Sequence, residues 1–260
     1  MTAGSPKHQI DTSKPHPARV YDYLLGGKDH YLVDRELGEK LAGFIRVGAE
    51  ENRAFMHRAT AWAAHQGIDQ YLDIGTGIPT EPNLHQIVQE VIPAARVVYA
   101  DNDPIVLRHA EALLVSTPEG ATHYIQADVR EPDVILEHAR RFLDFSRPVA
   151  LSLIAIMHFI LDEEEPYAIV RELVGHLPSG SCLILAQASL DSFPEAEEHV
   201  ASTYSSHIPF QPRSRAEIVR FFDGLDPVEP GVVTAPEWFK GAPAPEFTPC
   251  PGYVGVGLVP

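Results

Sequence analysis

The sequence predicts an α/β chain built on a doubly wound, mostly parallel sheet of seven strands, preceded by an N-terminal helical cap. Three observations carry that expectation. Between residues 66 and 190, short apolar β-rich runs alternate with helical stretches of about 10–15 residues, the pattern of parallel βαβ units with right-handed crossovers. The first run stops at two closely spaced glycines, Gly75 and Gly77. After Ser189 the alternation ends, and residues 227–251 hold seven prolines, which excludes a continuous central strand there.

The elements follow in order. Residues 1–17 are polar and broken by Pro6, Pro15 and Pro17, and read as a mobile tail with none of the apolar core of a secretory signal. Residues 19–44 have apolar positions at helical spacing interrupted by Gly26-Gly27, which predicts two short helices around a glycine turn. Residues 50–65 form a helix with Phe55, Ala59 and Trp62 on one face. Residues 71–74 are the first strand, and Leu84, Ile87, Val88 and Val91 then recur as one face of a helix. Residues 96–100 are the second strand. Asp103-Pro104 is an N-cap followed by proline at the first helical position, opening a helix over 105–115. Strands over 122–127, 149–156 and 181–188 alternate with helices over 134–143 and 166–177. Residues 195–204 read as helical, and Ser214-Arg215-Ala216-Glu217 is a capping box opening a helix through Phe222. Residues 228–234 and 253–259 are expected to finish the sheet as a hairpin-like pair. Linker composition is absent between Asn52 and Ser189, so residues 18–260 are expected to form one domain. Within it, the cap covers 18–65, a nucleotide-binding core 66–190, and C-terminal helices with the last two strands 191–260.

Composition narrows the function classes. Of 260 residues, 45% are hydrophobic, enough for one sizeable core. Lys+Arg total 20 against 36 Asp+Glu, a formal charge of −16. That disfavours a sequence-independent grip on nucleic acid and on an anionic membrane surface, both of which need clustered cations. The most apolar run, residues 149–161, is 13 residues long, against roughly 20 for a membrane span, and reads as a buried strand. Cys182 and Cys250 form no paired motif, as in a reduced cytoplasmic protein. The 13 histidines show no His-Glu-x-x-His pattern and residues 162–165 have no metal-loop spacing, so no metal is expected.

In an open parallel sheet, ligands bind beyond the carboxyl ends of the strands. Strand one ends Leu72-Asp73-Ile74-Gly75-Thr76-Gly77, where two glycines permit a tight turn and close approach to a ligand. Strand two ends at Asp101, 24 residues after Gly77, suited to a bidentate grip on ribose hydroxyls. Strand three ends at Asp128, whose carboxylate suits an exocyclic adenine amine. Each aspartate taken alone reads equally well as a helix cap or strand end, but three after three successive strands favour a nucleoside ligand. A dinucleotide fingerprint needs a third glycine where Thr80 stands, and Pro79 removes a potential pyrophosphate donor. S-adenosylmethionine has no phosphate and tolerates this loop, and Asp73 fits its ammonium and sulfonium charges.

Residues 72–80, together with Tyr99-Ala100-Asp101-Asn102-Asp103-Pro104, resemble the class I S-adenosylmethionine-dependent methyltransferases. More narrowly, Ala18-Arg19-Val20-Tyr21-Asp22-Tyr23-Leu24-Leu25-Gly26-Gly27-Lys28-Asp29 and Asn52-Arg53-Ala54-Phe55 are similar to the actinobacterial S-adenosyl methyltransferase family formerly described as a domain of unknown function. The resemblance covers residues 18–259 and implies a Rossmann-like fold with S-adenosylmethionine as cofactor. It implies that Gly75, Thr76 and Gly77 pass under the methionine part and that Asp101 holds the ribose. Asn102 and Asp103 would line the adenine side, Asp128 would face the adenine amine, and Val129 would stack or bond through its backbone. Ile154 and Ala155 would end strand four beside the sulfonium, and Arg53 would pair with the cofactor carboxylate. It does not name the methyl acceptor, and the acidic chain leaves a small molecule as the expected partner.

His158, just past strand four, is the candidate general base, weighed against a core or helix-start histidine. Tyr21, Tyr23, Tyr31 and the Gly26-Gly27 bend suggest a lid over the methionine end, weighed against aromatic packing of a fixed cap. The leading expectation is a methyltransferase. A non-catalytic module that binds S-adenosylmethionine or S-adenosylhomocysteine and an NAD-dependent oxidoreductase are the alternatives.

Overall fold

The computed structural model describes residues 11–41, 43–113, 115–238 and 249–260. Five strands, β1 (Gln70–Ile74), β2 (Arg96–Asp101), β3 (Ala121–Gln126), β4 (Ala150–Ile154) and β5 (Cys182–Ala188), run parallel in the order β3-β2-β1-β4-β5. This is the expected doubly wound α/β sheet, and the strand order reverses between β1 and β4, where such sheets bind ligands.

The far edge differs from the expected hairpin-like pair. The run over 228–234 is not one strand: β6 (Asp226–Pro227) lies just before it, and only β7 (Val233–Thr234) falls within it. Both pair antiparallel with β8 (Gly252–Leu258), which sits between β5 and β6. Pro227 and Pro230 lack an N–H, and Gly231 turns the chain with φ 83° and an N–H bond to the Val228 carbonyl. The sheet therefore has eight strands among the described residues rather than seven. Much of the proline-rich loop, residues 239–248, lies outside the described residues, as do residues 1–10 of the expected tail.

Two other boundaries move. The helix expected from residue 50 starts at residue 43, as α3 (Gly43–His65). Gly43 and Gly48 weaken its first turns by propensity, but a Cβ on Gly48 would lie 2.3 Å from Pro251 Cγ, so close packing requires a glycine there. The fourth strand stops at Ile154 because Ala155 adopts φ 56°, and a 3₁₀ turn over Met157–Phe159 follows. The apolar run 149–161 is thus a strand followed by a turn.

Alternation along β1 divides the core. Leu72 and Ile74 join Val98, Leu151 and Leu153 on one face, beneath Ile135 and Leu136 of α6 (Pro132–Ala139) and Val170 and Leu173 of α7 (Pro166–Gly175). Tyr71 faces the other side, where Phe55, Ala59 and Ala63 of α3, Val88 of α4 (Leu84–Val91) and Trp238 cover it. A third cluster joins the cap, α1 (Pro17–Leu24) and α2 (Leu32–Lys40), to α8 (Glu197–Ser205) through Val20, Leu24, Leu37, Val200 and Tyr204.

A buried ion pair, Arg19 Nε to Asp34 Oδ2 at 3.3 Å, fastens α1 to α2. Asp34 also accepts the His16 N–H at 2.9 Å, and Arg19 donates to the Lys14 carbonyl at 2.8 Å. The described part of the expected tail is held in this way against the cap. No helix among the described residues is long and apolar enough to cross a membrane.

Candidate functional site

A cavity of about 360 Å³ opens at the strand-order reversal, within the usual size range of small-molecule sites. Its floor is the turn after β1. Gly75 (φ 78°) and Gly77 (φ 67°) adopt the left-handed region that glycine enters without cost. Gly75 donates to the Ala100 carbonyl at 2.8 Å, and a Cβ on it would lie 2.4 Å from the Ile156 side chain. The turn therefore needs glycine both for its backbone and for the close approach of the segment after β4. Across the cavity, Ala155 holds φ 56° without being glycine, a strained backbone kept by its N–H bond to the Ala186 carbonyl.

Three carboxylates line this space from three successive strands: Asp73 on β1, Asp101 on β2 and Asp128 just beyond β3. Parallel register sets Asp73 opposite Ser152 on β4. Burial pushes the Asp73 carboxyl up to about 6, against the Ser152 hydroxyl and the Arg53 guanidinium, which favour the ion. Asp101 is likewise pushed up to about 6 by burial, although it accepts the Gly77 and Asp103 N–H groups at 2.9 Å each. That pair of bonds locks the end of β2 to the glycine turn.

Asp128 behaves differently. Burial would raise it, but hydrogen bonds from the Arg130 N–H, the Asn102 amide (2.8 Å) and the Arg130 guanidinium hold it below the usual range. Arg130 in turn binds Glu164 and the Phe159 carbonyl, tying the end of β3 to the segment after β4. The next N–H, that of Val129, has no acceptor among the described residues. An acceptor and a free donor on adjacent residues are the complement of adenine's amine and ring nitrogen.

Arg53, from α3, reaches the same cavity. Its guanidinium donates to the Thr80 and Pro82 carbonyls, while its buried Nε lacks a partner. Both lining arginines are thus already engaged with protein groups, and the surrounding charge is acidic. This donor set fits an ammonium, a ribose diol and an adenine, and does not fit a pyrophosphate, so the residues present suit S-adenosylmethionine better than a dinucleotide.

The profile of a family described as S-adenosyl methyltransferase matches residues 3–260. The chain belongs to the S-adenosyl methyltransferase family. The cofactor of that family is S-adenosylmethionine. A DUF574 family protein from Streptomyces avermitilis is 45% identical, with a TM-score of 0.92 over 97% of this chain and 100% of that one. A protein from Thermobifida fusca is 37% identical, with a TM-score of 0.88 over 99% of each chain. The magnesium protoporphyrin IX methyltransferase of Synechocystis, solved with S-adenosylhomocysteine, is 13% identical with a TM-score of 0.55 over 93% of each chain, a likeness of fold. No match was found among curated proteins.

Against this methyltransferase fold, the expected site residues divide. Arg53, Asp73, Gly75, Thr76, Gly77, Asp101, Asn102, Asp128, Val129, Ile154 and Ala155 all line the one cavity. Asp103 does not. Its Oδ1 caps α5 (Pro104–Leu113) through the Ile105 N–H at 2.8 Å, and its Oδ2 meets His16 Nδ1 at 3.2 Å. His158 is also apart. It is buried beside a second, smaller cavity, and its Nδ1 accepts the Ala188 N–H at 3.3 Å. Burial, with Arg213 nearby, pushes it down to about 3, so it is too weak a base for work near neutrality.

Of the tyrosines, Tyr21 lines the large cavity, while Tyr23 packs edge-on to His30. The Gly26-Gly27 bend is wrapped around buried Asp22, which accepts the Asp29 N–H and meets His30 Nδ1 at 2.9 Å. A Cβ on Gly27 would collide with that carboxylate. What overhangs the cavity is instead the segment from Pro15 to Ala18. Arg130 was not singled out from sequence. Its signal is a cation two residues past a strand-ending aspartate, where an Asx turn forms readily.

Proposed function

We propose that this family member transfers the methyl group of S-adenosylmethionine, held in the large cavity, to a small-molecule acceptor. The observation that carries the reading is the set of polar groups at three successive strand ends opening onto one space: Asp73, Asp101 and the Asp128–Val129 edge. Asp73 and Arg53 would hold the ammonium and carboxylate of the methionine part, the arginine through its unpartnered Nε. Asp101 would accept the ribose hydroxyls, and Asp128 and the Val129 N–H would read the adenine edge. S-adenosylmethionine supplies an electrophilic methyl group when bound. The chain supplies position and exclusion of water, with Ile154, Ala155 and Ile156 walling the reacting end. The acidic chain, at −16, supports a small molecule over nucleic acid as acceptor. The oxidoreductase alternative loses support because Pro79 offers no N–H to a pyrophosphate and Arg130 is already engaged by protein oxygens.

Titration calorimetry with S-adenosylmethionine and S-adenosylhomocysteine tests this. Saturable one-to-one binding of both is expected, and absence of heat with either at millimolar concentration would overturn it. Acceptor-dependent release of S-adenosylhomocysteine from a metabolite extract then separates a transferase from a module that only binds the cofactor.

A further inference from the structure

Behind Ala155 lies a second cavity of about 60 Å³, at the carboxyl ends of β4 and β5. Pro17, Tyr21, Ala155 and Phe159 line both cavities, so an occupant of the smaller one lies a single side chain away from the larger. Its remaining wall mixes aliphatic groups such as Leu24, Ile45 and Pro251 with an aromatic cluster. Tyr204 stacks on Phe210 with centroids 4.2 Å apart, and His158 lies 5.5 Å from Phe210. No Asp, Glu, Lys or Arg lines it among the described residues. The titratable groups that do are uncharged near neutrality, because burial pushes His158 down to about 3 and Tyr21 up to about 12, and raises Tyr204 further. A carboxylate, phosphate or ammonium placed there would lose its hydration with no counter-charge.

Four neutral polar side chains line it among the described residues: Tyr21, Asn52, His158 and Tyr204. Asn52, half-buried on α3, lines this cavity, and its side chain makes no hydrogen bond among the described residues. Tyr21, by contrast, already donates to the Ala49 carbonyl at 2.9 Å. An amide offers two donors and an acceptor in one plane. The volume is well below the ~150 Å³ of an apolar cavity known to take benzene.

We propose that this cavity is the subsite for the acceptor's end group, an uncharged hydrogen-bonding fragment smaller than a benzene ring, such as a carboxamide, and that Asn52 anchors it. The proposal rests on the reading of the larger cavity as the cofactor site. It makes Asn52 a specificity-determining residue: a site built to bond an amide discriminates strongly against a group of the same shape that leaves the bond unmade.

The test uses the full chain saturated with S-adenosylhomocysteine and ligand-observed saturation-transfer NMR. The probes are acetamide, acetate and acetamidinium, alike in shape and different in charge. Acetamide is expected to receive saturation and the two ions about a tenth as much or less. Asn52→Leu is expected to cut the acetamide signal roughly tenfold, the loss of one buried hydrogen bond of about 1.4 kcal/mol. Its cofactor affinity and thermal midpoint should stay near those of the parent chain. If the leucine variant does not fold, Asn52→Ala repeats the measurement without added bulk. Equal transfer to acetate, an unchanged signal in a folded Asn52 variant, or no transfer to acetamide while S-adenosylhomocysteine binds would overturn the subsite alone. Failure of the parent chain to bind S-adenosylhomocysteine would overturn the cofactor reading and the subsite's role with it.

Discussion

The two halves of the sheet's carboxyl edge are chemically opposite. At the carboxyl ends of β1, β2 and β3 stand Asp73, Asp101 and Asp128, the last two held by N–H or guanidinium partners. At the carboxyl ends of β4 and β5 stand Ala155 and Ala188, in the same wall as Phe159, Tyr204 and Phe210. One half presents charge to a ligand whose polar groups are fixed in advance. The other presents shape and uncharged polar groups, Asn52 among them, which suits selection by size and neutrality. Such a division lets one cofactor grip serve acceptors that differ, since changes on the aromatic side leave the acidic side untouched.

The largest expected effect comes from removing the cap that walls the neutral half. Deletion of residues 1–34 exposes the cluster around Leu37 and Val200 and removes buried Val20 and Leu24, each worth about 1.5–3 kcal/mol. Against a total stability of about 5–15 kcal/mol, calorimetry should show loss of the cooperative unfolding transition. A truncated chain that melts normally and still binds S-adenosylhomocysteine would show that the two halves are independent. Next comes Asp101→Ala, which should weaken S-adenosylhomocysteine binding about ten- to a hundredfold, the loss of charge-assisted bonds worth roughly 1.5–3 kcal/mol. Because Asp101 also accepts the Gly77 and Asp103 N–H groups, its thermal midpoint should fall by about 2–4 °C for each kcal/mol lost. Unchanged affinity would remove the charged half from the cofactor grip.

The effect that separates the halves most cleanly is on pH. Burial raises Asp73 and Asp101 from 3.8 to about 6, so between those values the folded chain holds more protons than the unfolded one. Stability therefore falls as pH rises through that window. Binding of the cofactor's ammonium favours the ionised carboxylates, so affinity should rise with pH and level off above about 6, by at most about tenfold per unit for each group. Acetamide binding should stay flat over the same range, because the groups facing the small cavity do not titrate there. A cofactor affinity independent of pH, measured by calorimetry, would contradict the raised carboxyls.

The alternation that builds β1 to β5 was legible because each strand is an apolar run, the first three ended by glycine or aspartate, and the Asp103 cap and the Ser214 capping box were legible because their signals are local. The turn at Gly75 and Gly77 was legible because a left-handed backbone calls for glycine. The same reasoning could not foresee Ala155, which takes a left-handed conformation with a side chain and so shortens the fourth strand. The start of α3 depends on Gly48 meeting Pro251, two hundred residues away, and no window along the chain contains both. Asp103 and His158 show the limit for the site. Both stand beside strand ends, but whether a side chain enters the cavity or turns to a neighbouring N–H is decided by partners distant in sequence, His16 in one case and Ala188 in the other. Asn52 stood within a recognisable pattern, yet its free amide becomes visible only when the cavity beside it does.

The third apolar cluster also fixes an order of assembly during synthesis. Val20 and Leu24 meet their partners Val200, Tyr204 and Phe210 only after some 180 further residues have been made. At about 5–20 residues per second, the first helix waits roughly ten to forty seconds with its apolar face uncovered. The strand ends that carry Asp73, Asp101 and Asp128 are complete by then, whereas the small cavity needs Phe210 and Pro251 to close. On the ribosome the charged half of the edge precedes the neutral half, and α1 is an early exposed surface for a chaperone to shield.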